Sequence, residues 1–88
     1  MRQIIYDPAF DAAVDHLGGY ILVDEALDPI LDGLARNPYG FPLIENDWVK
    51  IRYAITKPTA FLPSLVVTFT IETNGEVILR HVEEHLDE

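Results

Sequence analysis

Hydrophobic and polar positions change period along the chain, and the changes mark its elements. Arg2–Tyr6 is a short β-branched run that predicts a strand. Asp7-Pro8 then predicts a helix start, with Asp as N-cap and Pro at the first helical position. Phe10, Ala13, Val14 and Leu17 recur at i, i+3, i+4 and i+7, one buried helical face that Gly18-Gly19 closes. Val23, Leu27, Ile30, Leu31 and Leu34 repeat the helical spacing, while Asp24, Glu25, Asp28 and Asp32 turn outward. Pro29 interrupts that run, so either a turn precedes a helix capped by Asp28 or one helix is kinked. Asn37-Pro38 ends it, and Pro38 to Pro42 forms an aromatic loop around Tyr39 and Phe41.

The period then becomes two. In Trp48–Thr56, Val49, Ile51, Tyr53 and Ile55 alternate with Trp48, Lys50, Arg52 and Ala54. The first set is expected under the helices and the second on a solvent-facing sheet surface. Lys57–Pro63, with two prolines, is a loop. Ser64–Val82 is the strongest pattern of all: two apolar runs, Leu65–Ile71 and Val77–Val82, flank Asn74-Gly75, a hairpin signal because both residues tolerate positive φ. A two-residue turn would set Arg80 opposite Phe69. A three-residue Thr73-Asn74-Gly75 loop sets it opposite Thr68, with His81 on the Phe69 face. The second register is expected, because it spares an unpaired guanidinium from burial. Glu83–Glu88 is an acidic tail with room for one terminal turn. The expected fold is a single α+β domain over residues 1–88: an antiparallel sheet of about four strands with two helices packed on one face, in the order β-α-α-β-β-β.

Charge narrows the function. The net charge is −9. Residues 1–47 hold nine acids and two bases, residues 48–71 hold Lys50, Arg52 and Lys57 and no acid, and residues 72–88 hold six acids and Arg80. Such a chain repels polyanions except at its local basic island, and a basic protein is the simpler partner. With no cysteine there is neither a disulfide framework nor a Cys-based zinc site. Apolar runs fall well short of the roughly 18–20 residues of a membrane span, and MRQIIYDPAF lacks a signal core, so a cytoplasmic protein is expected.

LARNPYGFP closing the helices, WVKIRYAI opening the sheet and LVVTFTIETNGEVILRHVEEH ending it give the chain, over nearly its whole length, an order that resembles the RelE/ParE toxin superfamily. The resemblance implies a small toxin-like domain of a type II toxin–antitoxin module, bound by a small antitoxin. RelE-like members cleave mRNA on the ribosome, and ParE-like members poison DNA gyrase. Metal-free RNA cleavage needs a group that orients the 2′-hydroxyl, cations for the developing phosphorane charge and an acid for the leaving oxygen. By position, the resemblance assigns these roles to Lys50, Arg52, Arg80 and either His81 or His85. Against that stands the C-terminal segment, where Glu83, Glu84, Asp87 and Glu88 would repel a phosphate.

His81-Val82-Glu83-Glu84-His85 also spells H-x-x-E-H, a zinc pattern when helical, but a third protein ligand is lacking and the first His belongs to a strand. No metal or cofactor is expected. His16 near the first helix's end suits a structural role, and Tyr39, Phe41, Trp48 and Phe61 close a small core more readily than they stack bases. The leading expectation is a toxin-like component acting mainly through protein binding. The alternatives are a ribosome-dependent endoribonuclease using the basic island and a C-terminal His, and a stand-alone homodimer without a toxin role.

Overall fold

The structure, a computed structural model, describes residues 3–44 and 50–85. Strand β1 (Ile4–Tyr6) leads directly into helix α1 (Pro8–His16). The Asp7 carboxylate accepts a hydrogen bond from the Ala9 N–H at 2.8 Å, and Pro8 fills the first turn, where its missing N–H costs nothing. Gly18 and Gly19 both take positive φ and turn the chain into helix α2 (Tyr20–Arg36). Pro29 lies inside α2, so of the two readings the single helix holds. Its ring is on the exposed side, where water can serve the carbonyl it leaves unpaired. A 3₁₀ turn (Pro38–Gly40) follows, then strands β2 (Leu43–Ile44), β3 (Ile51–Ile55), β4 (Leu65–Ile71) and β5 (Val77–Glu84).

The α+β class with two helices is as expected. The sheet is not: it has five strands and is mixed, in the order β1-β5-β4-β3-β2. Each of β2 to β5 runs antiparallel to the one before it, and these reversals bring β5 beside β1 in the same direction. The extra strand is β2, two residues held against Ile51 and Arg52. Trp48 and Val49, the expected start of the strand before the hairpin, lie outside the described residues, as do Arg2 and the end of the acidic tail at 86–88.

Phe10 and Val14 from α1, Val23, Leu27 and Leu34 from α2, and Leu65, Val67, Phe69, Val77 and Leu79 from the hairpin are fully buried in one core. Phe41 packs edge-on against Phe69, with ring centroids 5.6 Å apart. The hairpin turn takes the three-residue form: the Glu72 N–H donates to the Glu76 carbonyl at 2.8 Å, and Gly75 has φ 88°. Its register, Ile71 with Val77, Thr70 with Ile78 and Phe69 with Leu79, holds as far as Leu79. A bulge then shifts the ladder, and Thr68 pairs with His81 instead of Arg80.

The bulge corrects two expectations: Arg80 does not sit opposite Thr68, and His81 does not share the face of Phe69. Strict alternation from Leu79 would have turned His81 and Glu83 into the core and Val82 out of it. The extra residue lets Arg80 and His81 both avoid the core and returns Val82, 2% exposed, to it. The strand also runs further than its apolar residues: Glu83 and Glu84 continue β5, because they pair with Val66 and Leu65. These two acids therefore form strand, not the terminal turn.

Strand β3 overturns a third expectation. Arg52 pairs with Phe69 and Ala54 with Val67, and antiparallel partners share a face. The Arg52, Ala54 and Thr56 set thus lies on the helical side, and Ile51, Tyr53 and Ile55 lie on the other. Ala54 and Thr56 are each 3% exposed, whereas Ile55 is 46% exposed. The Thr56 hydroxyl accepts from the Leu65 N–H at 2.9 Å, which pairs the buried polar group.

Candidate functional site

Arg52 reaches the helical side at the periphery of the core, and its guanidinium donates to the Phe41 carbonyl at 2.7 Å and the Tyr39 carbonyl at 3.2 Å. It also lies 5.7 Å from the centroid of the Tyr39 ring. Its stem and fork therefore tie the turn at Pro38–Gly40 to β3. Lys50 precedes β3 and is exposed.

Arg80, displaced by the bulge, points away from the core. Its Nε donates to the Thr70 hydroxyl at 3.0 Å, one terminal nitrogen lies 2.9 Å from the Asp7 carboxylate, and the other lies 3.5 Å from Glu72. The cation thus bridges the N-cap of α1, the end of β4 and the hairpin turn. The bond from Ala9 first, and Arg80 second, hold the Asp7 carboxyl below its ordinary range against the opposing effect of burial. Thr70, Glu72 and Asp7 escaped the sequence reading in this role. The Asp7-Pro8 signal marked only a cap, and nothing local announces that Arg80 returns to it.

The residues assigned by resemblance therefore do not share one surface. Arg52 and Arg80 lie on opposite faces of the sheet, with β4 between their strands. His81 is exposed beside Glu83, 4.0 Å away, and pairs with Thr68; His85 follows β5 and donates its N–H to the Ser64 carbonyl. The H-x-x-E-H run is extended from His81 to Glu84, so the helical spacing a zinc pair needs does not arise. Among the described residues no group of three His, Asp or Glu side chains could hold a metal ion. Tyr39 and Phe61 are exposed, while Phe41 is half-buried against the core.

Two surfaces remain. The helical layer exposes Asp11, Asp15, Asp24, Glu25, Asp28 and Asp32. Arg36 pairs with Asp32 at 3.3 Å, and the Tyr20 hydroxyl donates to Asp11. Burial first and the Asp11 bond second push the Tyr20 pKa up, and burial first, then Asp24 and Asp28, raise that of Tyr6. Between α2 and the segment after β3 is a cleft of about 360 Å³, flanked by Glu25 and Lys57 and floored by Ala26, Ile30 and Thr56.

The second surface is the sheet face turned away from the helices. Ile5, Ile44, Ile51, Tyr53, Ile55, Val66, Thr68 and Ile78 lie on it, together with Thr70, His81, Glu83 and the cluster of Arg80 with Asp7 and Glu72, and among the described residues no helix or strand packs over it. Away from that cluster, the run of isoleucines over β3, β2 and the start of β5 is more apolar than is ordinary for a sheet face that meets water. No helix among the described residues is long and apolar enough to cross a membrane. Compared with known proteins, the chain matches no family model, no curated protein and no solved structure.

Proposed function

We propose that this chain is a protein-binding domain, and that it serves as the toxin-like component of a type II toxin–antitoxin module that acts by binding and not by cutting RNA. One observation carries the preference for binding: the two arginines that a phosphate-cleaving site would need are held in internal contacts. Arg52 donates to loop carbonyls and Arg80 is matched by Asp7 and Glu72. A guanidinium already met by two carboxylates offers little to a third anion. The acidic helical surface favours a basic partner, and a small antitoxin with a basic segment has that chemistry. The RelE/ParE-like assignment itself rests on element order and on the strand and helix-end sequences that carry the resemblance.

Induced expression in a bacterial host, together with a purified translation reaction on labelled mRNA, tests this reading. Growth arrest with intact mRNA is expected, the arrest unchanged in Lys50→Ala, His81→Ala and His85→Ala and relieved by a co-expressed basic partner. Ribosome-dependent cleavage that Lys50→Ala or His85→Ala abolishes would establish the nuclease instead. Unimpaired growth with soluble protein would remove the toxin role.

A further inference from the structure

We propose that the open sheet face is a self-association surface, on which a second copy of this chain stacks its own open face about a two-fold axis running along β4. This goes beyond the toxin-like reading and stands without it.

The first argument is the arrangement of side chains. Ile5 pairs with Ile78, Ile78 with Thr70, and Ile51 with Ile44, and the β3–β4 ladder continued by one residue sets Ile51 beside Thr70. One row across all five strands therefore reads Ile, Ile, Thr, Ile, Ile, symmetric about the central strand. The next rows read His81, Thr68, Tyr53 and Glu83, Val66, Ile55. An isologous interface requires a surface complementary to itself. Rotation about β4 lays β5 of one copy on β3 of the other and β1 on β2. Ile78 then meets Ile51, Ile5 meets Ile44, and Thr68 and Val66 meet their own counterparts on the axis, while Thr70, 9% exposed, stays beneath the Arg80 side chain that bonds its hydroxyl. Face-to-face sheets about 10 Å apart interdigitate in this way.

The second argument is charge, which selects this axis over the other in-plane one. Lys50 and Lys57 mark the two ends of β3. Glu72 and Glu76 stand at the turn where β5 begins, and Glu83 and Glu84 end it. Strands β3 and β5 run in the same direction, both antiparallel to β4. With the axis along β4, Lys57, which alternates with Ile55 on the open side, comes toward Glu83 at the end of the partner's β5, a contact made twice, while Lys50 shares the helical side with Arg52 and takes no part. An axis across the strands would stack β3 on β3 and β5 on β5, which takes Lys57 away from the partner's Glu83. The helical layer, with its exposed acids, repels a second copy, so two chains of net charge −9 approach best by the sheet.

The third argument is area. One row of five strands about 4.8 Å apart and two rows of three, each about 7 Å deep, give a pair of corrugated faces of roughly 700–900 Å² in total, the size of a weak, transient contact. The dimer is accordingly one that dissociates on dilution.

Sedimentation equilibrium over a concentration series tests the proposal, with circular dichroism as the check on folding. The wild type is expected to approach twice 10.0 kDa when concentrated and to return to 10.0 kDa on dilution. Thr68→Asp, which sets two like charges on the axis, should be a folded monomer. Lys57→Glu alone should weaken the dimer, and Lys57→Glu combined with Glu83→Lys should restore it, because each copy then presents the opposite sign to the other. A mass of one chain at every concentration would overturn the proposal, whatever other protein the face takes. So would a dimer indifferent to Thr68→Asp, or one that the paired charge reversal fails to restore.

Discussion

The two faces of the sheet carry similar apolar side chains and have different fates. On the helical face Leu65, Val67, Phe69, Val77 and Leu79 are sealed under α1 and α2. On the open face Val66, Ile78, Ile51 and Ile55 have no such cover among the described residues. The difference teaches that hydrophobicity alone does not say which side of a strand is inside. Strand β3 makes this plain, because its bulkier residues Ile51, Tyr53 and Ile55 face outward and Ala54 faces inward. The inward side is set by pairing with β4, whose Phe69 and Val67 fill the core.

The comparison breaks most sharply under truncation. Phe69→Ala should lower stability by about 3–5 kcal/mol in urea unfolding, whereas Val66→Ala on the open face, measured at a concentration where the chain is monomeric, should cost well under ~1 kcal/mol. Equal costs would mean that the open face is packed like a core. A smaller effect is expected from Thr56→Val, where the Leu65 N–H loses the hydroxyl it donates to at 2.9 Å. A buried donor left unmatched costs roughly 1–3 kcal/mol, and native-state hydrogen exchange at Leu65 would report the opening.

Asp7 links the faces, since it caps α1 and meets Arg80 on the open side. Its folded-state pKa is lowered, so its contribution is present above the unfolded carboxyl pKa of about 3.9 and is lost as pH falls through the folded value. Asp7→Asn keeps an N-cap but removes that titration, so the variant should be less stable at neutral pH and lose less stability on acidification than the wild type. Acid unfolding followed by circular dichroism gives the comparison. The smallest effect belongs to the exposed Arg36–Asp32 pair on α2, where Arg36→Ala should change stability by less than about 0.5 kcal/mol.

Much of this architecture was legible in the chain. The helical spacing of Phe10, Val14, Val23, Leu27 and Leu34, the Asp7 cap, the double glycine and the Asn74-Gly75 hairpin are local signals, and each is found in place. Three features were not legible, for a common reason. The parallel placement of β1, the bulge at Arg80 and the facing of β3 depend on which strands meet across long separations. No period within one segment records that. The basic residues were visible as a cluster in sequence, yet their grouping in one site required Arg52 and Arg80 to share a face. The pairing of β3, which turns Arg52 to the helical side while Arg80 points to the open one, puts them on opposite ones.

The most direct test of two faces with different roles is a concentration series of amide nuclear magnetic resonance spectra. The expected result is that shifts on concentration gather at Ile78, Thr68, Tyr53, Ile51 and Val66 while the amides of α1 and α2 stay in place. Shifts gathered on the helices, or none at any concentration, would contradict the assignment of the open face to a second copy.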